Sequence, residues 1–161
     1  MADKFSHKIQ RIISEIREEL EKTDELVSEI GRHKSLREKD SFYVRAVASI
    51  LHDFYCGVER IFVRIAEELN GGIPEGANWH IQLLKDMELE IEKVRPPVIS
   101  HDVGKRLRVY LEFRHRFRNI YGFELEWEKM KGLKDALSSV AKDFKNDVMR
   151  FLRFMEELSK L

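Results

Sequence analysis

Apolar residues recur at spacings of three and four along most of the chain, which is the period of an α-helix with one buried side. Charged residues fill the other positions of a first such stretch, residues 3–30, and of a last one, residues 127–158. A second stretch, residues 40–69, has the densest apolar side and ends at Gly71 and Gly72. We predict that this second helix is the centre of the core.

The three prolines lie between the predicted helices, at Pro74, Pro96 and Pro97. A third helix is expected over residues 77–94, and Ser100 can cap a fourth one, which ends or bends at Tyr121. No stretch shows the sustained period-two alternation of a half-buried strand. About five helices joined by short loops predict an all-α, up-and-down helical bundle.

The length and charge of the chain indicate how many domains it forms and which partners it can attract. With 161 residues, the chain is expected to form one domain over residues 1–161. Its 29 basic and 29 acidic residues cancel, which argues against bulk electrostatic capture of nucleic acid but allows local basic patches. The densest patch leads into and along the fourth helix and contains Arg95, Lys105, Arg106, Arg108, Arg114, Arg116 and Arg118. It is either a binding surface or a solvated face paired with acidic neighbours, and the solvated face is the interpretation for Lys105, Arg106 and Arg116 in either case.

The N-terminus lacks the basic start and apolar stretch of a secretory signal, and no apolar run is long enough to span a bilayer. We therefore expect a cytoplasmic protein without a membrane partner. Cys56 is the single cysteine and cannot form an internal disulfide.

An arginine interrupts the apolar side of the fourth helix. At about 100° per residue, Arg114 shares one side of that helix with a largely apolar set, namely Val103, Leu107, Tyr110, Leu111, Phe117 and Tyr121. A guanidinium cannot escape burial by losing its proton, so it needs a carboxylate, backbone, ligand or partner contact. Two interpretations follow: a buried or interfacial ion pair with a glutamate, or a binding site.

The spacing around this arginine resembles a known family signature. Arg114, four residues, Asn119, one residue and Tyr121 match the RxxxxHxY motif of the HepT-like branch of the HEPN superfamily, with Asn119 in the place of His. His115 fits the polar residue that usually follows the arginine. Other segments add to the likeness, which covers roughly residues 42–155: residues 46–62, 69–74, 79–80 and 95–100. The resemblance implies a HEPN/HepT-like helical bundle.

The resemblance also implies an activity, namely metal-independent endoribonucleolytic cleavage in which the RNA's own 2′-hydroxyl attacks the adjacent phosphate. No cofactor is expected. Arg114, with Arg118, is predicted to bind the phosphate, because a guanidinium fork can meet two phosphate oxygens. Asn119 cannot carry protons as imidazole does, so His115, one turn earlier, is the candidate replacement. The other interpretations are a surface histidine for His115 and an ion pair for Arg118.

Tyr121 matches the tyrosine that, in the family, lines the site and accepts adenylylation from a minimal nucleotidyltransferase of the MNT type. In the other interpretation, Tyr121 closes the end of the helix against the core. His7, His33, His52, His80 and His101 lack the regular ligand spacing of a metal site, so we assign them no metal role.

Three functions therefore stay open. The first is the ribonuclease toxin of a toxin–antitoxin pair, a homodimer with a shared cleft for RNA and a nucleotidyltransferase antitoxin as partner. The second is a non-catalytic HEPN module that binds RNA, nucleotide or its nucleotidyltransferase. The third is a purely structural helical dimer. Asn119 keeps the second open, because the signature's proton carrier is missing there.

Overall fold

The computed structural model describes residues 2–33 and 40–161 and contains five α-helices in these ranges. They are α1 (Ala2–Arg32), α2 (Ser41–Leu69), α3 (Trp79–Glu88), α4 (His101–Phe117) and α5 (Trp127–Leu158), with a 3₁₀ turn at Gly122–Glu124. No strand occurs in the described residues, which hold one isolated bridge between Ile91 and Arg95. The predicted all-α helical bundle is confirmed.

Helix α2 is the centre of the core, as its apolar pattern predicts, because it packs against all four other helices. Phe54 and Phe62 are fully buried on it. The Phe54 ring meets Tyr110 of α4 edge-on with centroids 5.3 Å apart, and Phe62 meets Phe144 of α5 at 5.9 Å. Edge-to-face pairs of this kind contribute to the packing of neighbouring helices.

The start of α4 is capped as predicted. Ser100 lies before the helix, and its Oγ accepts a hydrogen bond from the backbone N–H of Val103 at 3.2 Å. The bond satisfies one of the amide groups that have no partner within the first turn of a helix.

Helix α3 is shorter than the sequence predicts: it ends at Glu88 rather than near residue 94. The cause is Arg95, whose side chain is almost fully buried. Its guanidinium donates to the backbone carbonyls of Asp86 and Leu89 at 2.9 and 3.0 Å, so the chain turns back on itself at this point. Lys93, with φ at 63°, lies inside this turn.

The Arg95 side chain also donates to Asn70 Oδ1 at 2.8 Å and to the carbonyl of Pro96 at 3.0 Å. It therefore joins the end of α2, the end of α3 and the segment that leads into α4. The prolines, which the sequence suggested as the end of α3, lie beyond this arginine.

Helix α4 ends at Phe117, so the projection that placed Tyr121 on its apolar side is wrong. The side-chain amide of Asn119 donates to the carbonyl of His115 at 2.8 Å, and its backbone N–H bonds to Arg116 O at 3.0 Å. The chain leaves the helical path there. The Tyr121 side chain is consequently 70% exposed rather than packed on the core.

Replacing Arg95 with methionine should lower the free energy of unfolding by about 2–4 kcal/mol, because several buried carbonyls lose their donor. Urea denaturation followed by circular dichroism measures this change. Arg153→Met is the matched control, since Arg153 is exposed on α5. Equal stabilities of the two variants would contradict a structural role for Arg95.

Candidate functional site

The Arg114 side chain is buried and faces a carboxylate on α2. Its Nη1 and Nη2 donate to Oε1 and Oε2 of Glu59, both at 2.9 Å. Arg114 is 4% exposed and Glu59 is 8% exposed, so the pair is almost completely removed from water. The guanidinium also lies over the Tyr55 ring, with Cζ 5.0 Å from the ring centroid. The structure thus contains the buried ion pair that was one of the two interpretations of this arginine.

Two opposing effects act on the guanidinium. Burial works to lower the pKa of Arg114, but the hydrogen bonds and charge of Glu59 outweigh it, and the pKa is raised. For the neighbouring Tyr55 hydroxyl, burial raises the pKa, because the charged form of a tyrosine is the deprotonated one. Arg114 therefore stays charged and Tyr55 stays neutral at neutral pH.

A histidine on α3 completes the cluster. His80 Nδ1 lies 2.7 Å from Glu59 Oε2 and 2.9 Å from Arg114 Nη2. The imidazole stacks on the indole of Trp79, with ring centroids 3.6 Å apart. Three helices thus contribute one charged or titratable group each to a single point: α2, α3 and α4.

This cluster lies at the base of a cleft, which we define as two cavities of about 540 and 370 Å³ that share His80, Arg114 and Arg118. The larger one is bounded by α3 and α4, and the smaller one reaches α2. Further lining residues include Cys56, Glu59, Arg60, Trp79, Glu112, His115 and Arg116.

The rim of the cleft is positively charged. Arg116 and Arg118 are exposed. Neither forms an ion pair with any residue in the ranges 2–33 and 40–161. Glu112, an acidic residue of the same rim, is paired with Arg108. Two arginines are thus available to an anionic ligand that enters the cleft.

The remaining predicted site residues are divided between two sides of α4. His115 is exposed and lines the cleft. Asn119 lines a different cavity of about 650 Å³, towards the start of α5, which His115 also borders. Tyr121 borders neither of these spaces, and its ring stacks on Phe123 at 5.3 Å. The structure therefore places Arg114, His115 and Arg118 at one cleft, and Asn119 and Tyr121 away from it.

Sequence reasoning missed Glu59 and His80, which contact Arg114 directly. A signal for Glu59 was present, because a glutamate lies on the apolar side of α2, between the buried Tyr55 and Phe62. A buried carboxylate on the central helix requires a cation, and Arg114 is the buried cation of the fourth helix.

Within the described part of the chain, no three His, Cys, Asp or Glu side chains gather as a metal site would require. None of the described helices combines the length and apolarity needed to cross a membrane.

The described residues form an all-α bundle with a buried, carboxylate-paired arginine at the base of a basic cleft. A comparison with family models matches residues 46–155 to the family described as HepT-like protein. The chain belongs to this family, a branch of the HEPN superfamily, as the motif around Arg114 predicts. No curated protein and no solved structure matched the chain.

Because the ion pair is buried, Arg114→Met should lower the free energy of unfolding by about 3–5 kcal/mol, chiefly by leaving Glu59 unpaired. The double variant Glu59→Met/Arg114→Met should recover part of this loss, since no unpaired charge remains. Urea denaturation of Arg114→Met, Glu59→Met and the double variant, with exposed Arg116→Met as the control, measures the coupling. A double variant as unstable as the sum of the single ones would show that the pair is not coupled.

Proposed function

We propose that this protein is a metal-independent endoribonuclease, the HepT-like toxin of a toxin–antitoxin pair. The observation that carries the proposal is the convergence of Arg114, Arg118 and two histidines at one cleft in a chain of this family. The reaction class needs positive charge near the phosphate and an imidazole that can move a proton. The cleft offers both.

Single-stranded RNA is the proposed substrate. Its phosphates would first meet Arg116 and Arg118, whose guanidinium groups are exposed at the rim. Arg114 contributes positive charge from the base of the cleft, while Glu59 occupies its forked face. Arg118 is therefore the residue that we propose to bind the phosphate directly. Arg114 adds electrostatic attraction only after the RNA backbone has entered the cleft.

Cleavage by this route uses the RNA's own 2′-hydroxyl as nucleophile. Its oxygen attacks the adjacent phosphorus, the bond to the 5′-oxygen breaks, and the products carry a 2′,3′-cyclic phosphate and a 5′-hydroxyl. Asn119 cannot accept the 2′-proton, and its amide is bonded to the backbone of α4. The proton must therefore pass to a histidine of the cleft, His80 or His115.

Tyr121 is the proposed site of control by a nucleotidyltransferase antitoxin of the MNT type. Its side chain is 70% exposed, so its hydroxyl is accessible to a modifying enzyme. Adenylylation would add a bulky anion at the end of the basic helix. A homodimer, as the family implies, is proposed to bring the motif segments of two copies to a shared RNA-binding cleft.

A second function is favoured by one specific observation. Both terminal nitrogens of Arg114 bond to Glu59, as they would in a site whose arginine has become purely structural. A non-catalytic HEPN module of this kind would use the basic rim to bind RNA, nucleotide or its nucleotidyltransferase without cleavage.

Incubation of the purified, unadenylylated protein with mixed single-stranded RNA in excess EDTA separates the two functions. We expect cleavage products that end in 2′,3′-cyclic phosphate and 5′-hydroxyl groups, detected by end-labelling and mass spectrometry. A parallel reaction without EDTA tests for dependence on metal ions. RNA binding by a folded protein that leaves the RNA intact in both reactions would support the binding module instead.

The rim arginine should govern RNA binding through counterion release. Arg118→Gln should weaken binding of single-stranded RNA and reduce the slope of log K against log salt by about 0.7 to 1. Fluorescence anisotropy at several salt concentrations measures both quantities. The matched control is Arg153→Gln on α5, outside the cleft, and an equal effect of the two variants would place RNA binding elsewhere.

A further inference from the structure

Resting on the proposed ribonuclease function, we infer that His80 is the catalytic residue that takes the proton from the 2′-hydroxyl. Glu59 is its positioning residue. This assigns to α3 the role that the family signature gives to a histidine where this chain has Asn119. The inference depends on three observations: the contact of His80 with Glu59, the opening of His80 to the cleft, and the poor placement of the alternatives.

The first observation concerns the two neighbours of His80 Nδ1. A carboxylate oxygen only accepts hydrogen bonds and a guanidinium only donates them, so Nδ1 serves one neighbour in each tautomer. In one tautomer Nδ1 would accept from Arg114 Nη2 at 2.9 Å; we propose the other, with the proton on Nδ1, whose N–H then donates to Glu59 Oε2 at 2.7 Å. Nε2 then carries a lone pair and can act as a base.

The His80 imidazole is open to the cleft on its Nε2 side. Because Nδ1 is turned towards Glu59, Nε2 lies on the far side of the ring, and no group in the described ranges bonds to it. The His80 side chain is 29% exposed and lines both cavities of the cleft. Stacking on Trp79 restrains the plane of the imidazole. A 2′-hydroxyl in the cleft can therefore approach Nε2 while Arg118 binds the phosphate.

The third observation concerns the other candidates. His115 lines the cleft, but its imidazole forms no hydrogen bond with any residue that the structure describes, so nothing orients it. Asn119 borders a different cavity. A general base is effective when a third group fixes its orientation and its tautomer, and of the two cleft histidines only His80 has such a partner.

The proton taken from the 2′-hydroxyl must also leave the site. When Nε2 takes it, the imidazolium lies beside the carboxylate of Glu59 and the guanidinium of Arg114. The 2′-oxygen forms its bond to phosphorus as the bond to the 5′-oxygen breaks. The departing 5′-oxygen takes a proton from water, and the imidazolium then gives its proton to the hydroxide that remains.

The chain supplies a matched control for this pair. His101 Nδ1 lies 2.7 Å from Glu88 Oε2, the same separation as in the His80–Glu59 contact. The His101 side chain is 89% exposed and does not line the cleft. His101→Gln therefore removes a similar histidine–carboxylate contact without touching the proposed site.

The test compares RNA cleavage and RNA binding in His80→Gln, His101→Gln and His115→Gln, each checked for helicity by circular dichroism. We expect His80→Gln to cleave roughly 10²- to 10⁴-fold more slowly, the usual contribution of a general base, with RNA affinity unchanged. His101→Gln should keep nearly full activity, and His115→Gln should lose far less activity than His80→Gln, because no residue that the structure describes orients its imidazole. Glu59→Gln also weakens the pairing of Arg114, so it is compared only as folded protein; it should slow cleavage less than His80→Gln, because the imidazole remains but its orientation is lost.

Added imidazole separates catalysis from structure. Free imidazole should enter the cavity left in His80→Gly and restore RNA cleavage. A variant that is merely misfolded would stay inactive when imidazole is added. Normal cleavage by His80→Gln, or loss of cleavage in His115→Gln alone, would overturn the assignment and leave the ribonuclease function intact. No cleavage by the unmodified protein would overturn both.

Discussion

A bidentate ion pair between Arg114 of α4 and Glu59 of α2 is the interaction on which the rest of the site depends. Neither charge can be buried without the other, because an unpaired charge in the core costs several kcal/mol. The pair fixes the end of the basic helix against the central helix of the bundle. It also presents a carboxylate oxygen at the place where His80 of α3 comes within hydrogen-bonding distance. One pair thereby joins the packing of three helices to the chemistry of the cleft.

Periodicity was sufficient to predict the bundle, the central place of α2 and the ends of α2 and α5, because these depend on apolar spacing and on local capping residues. It failed where a side chain beyond the helix forms hydrogen bonds with the backbone at the helix end. The Arg95 guanidinium donates to two carbonyls at the end of α3, and the Asn119 amide donates to a carbonyl in the last turn of α4. Such contacts have no signature in hydrophobic spacing.

The candidate site was predictable in part. Arg114 is predictable because it interrupts an apolar side, and Arg118 and His115 follow from their distance along the same predicted helix. Glu59 and His80 lie 55 and 34 residues away in sequence, so their contacts with Arg114 depend on how the helices pack. The motif also suggested that Asn119 and Tyr121 share the cleft. They lie elsewhere because α4 ends at Phe117.

Both terminal nitrogens of the Arg114 guanidinium are already bonded to Glu59, which limits the anions that this arginine can bind. Glu59 is attached to the same molecule, so it competes for the guanidinium at a very high effective concentration. A small free anion, with only this one contact to offer, cannot displace it. Under the proposed ribonuclease function, phosphates would therefore bind at Arg116 and Arg118 on the rim while the Arg114–Glu59 pair stays intact. The internal carboxylate would then act as a permanent occupant that keeps small free anions off Arg114.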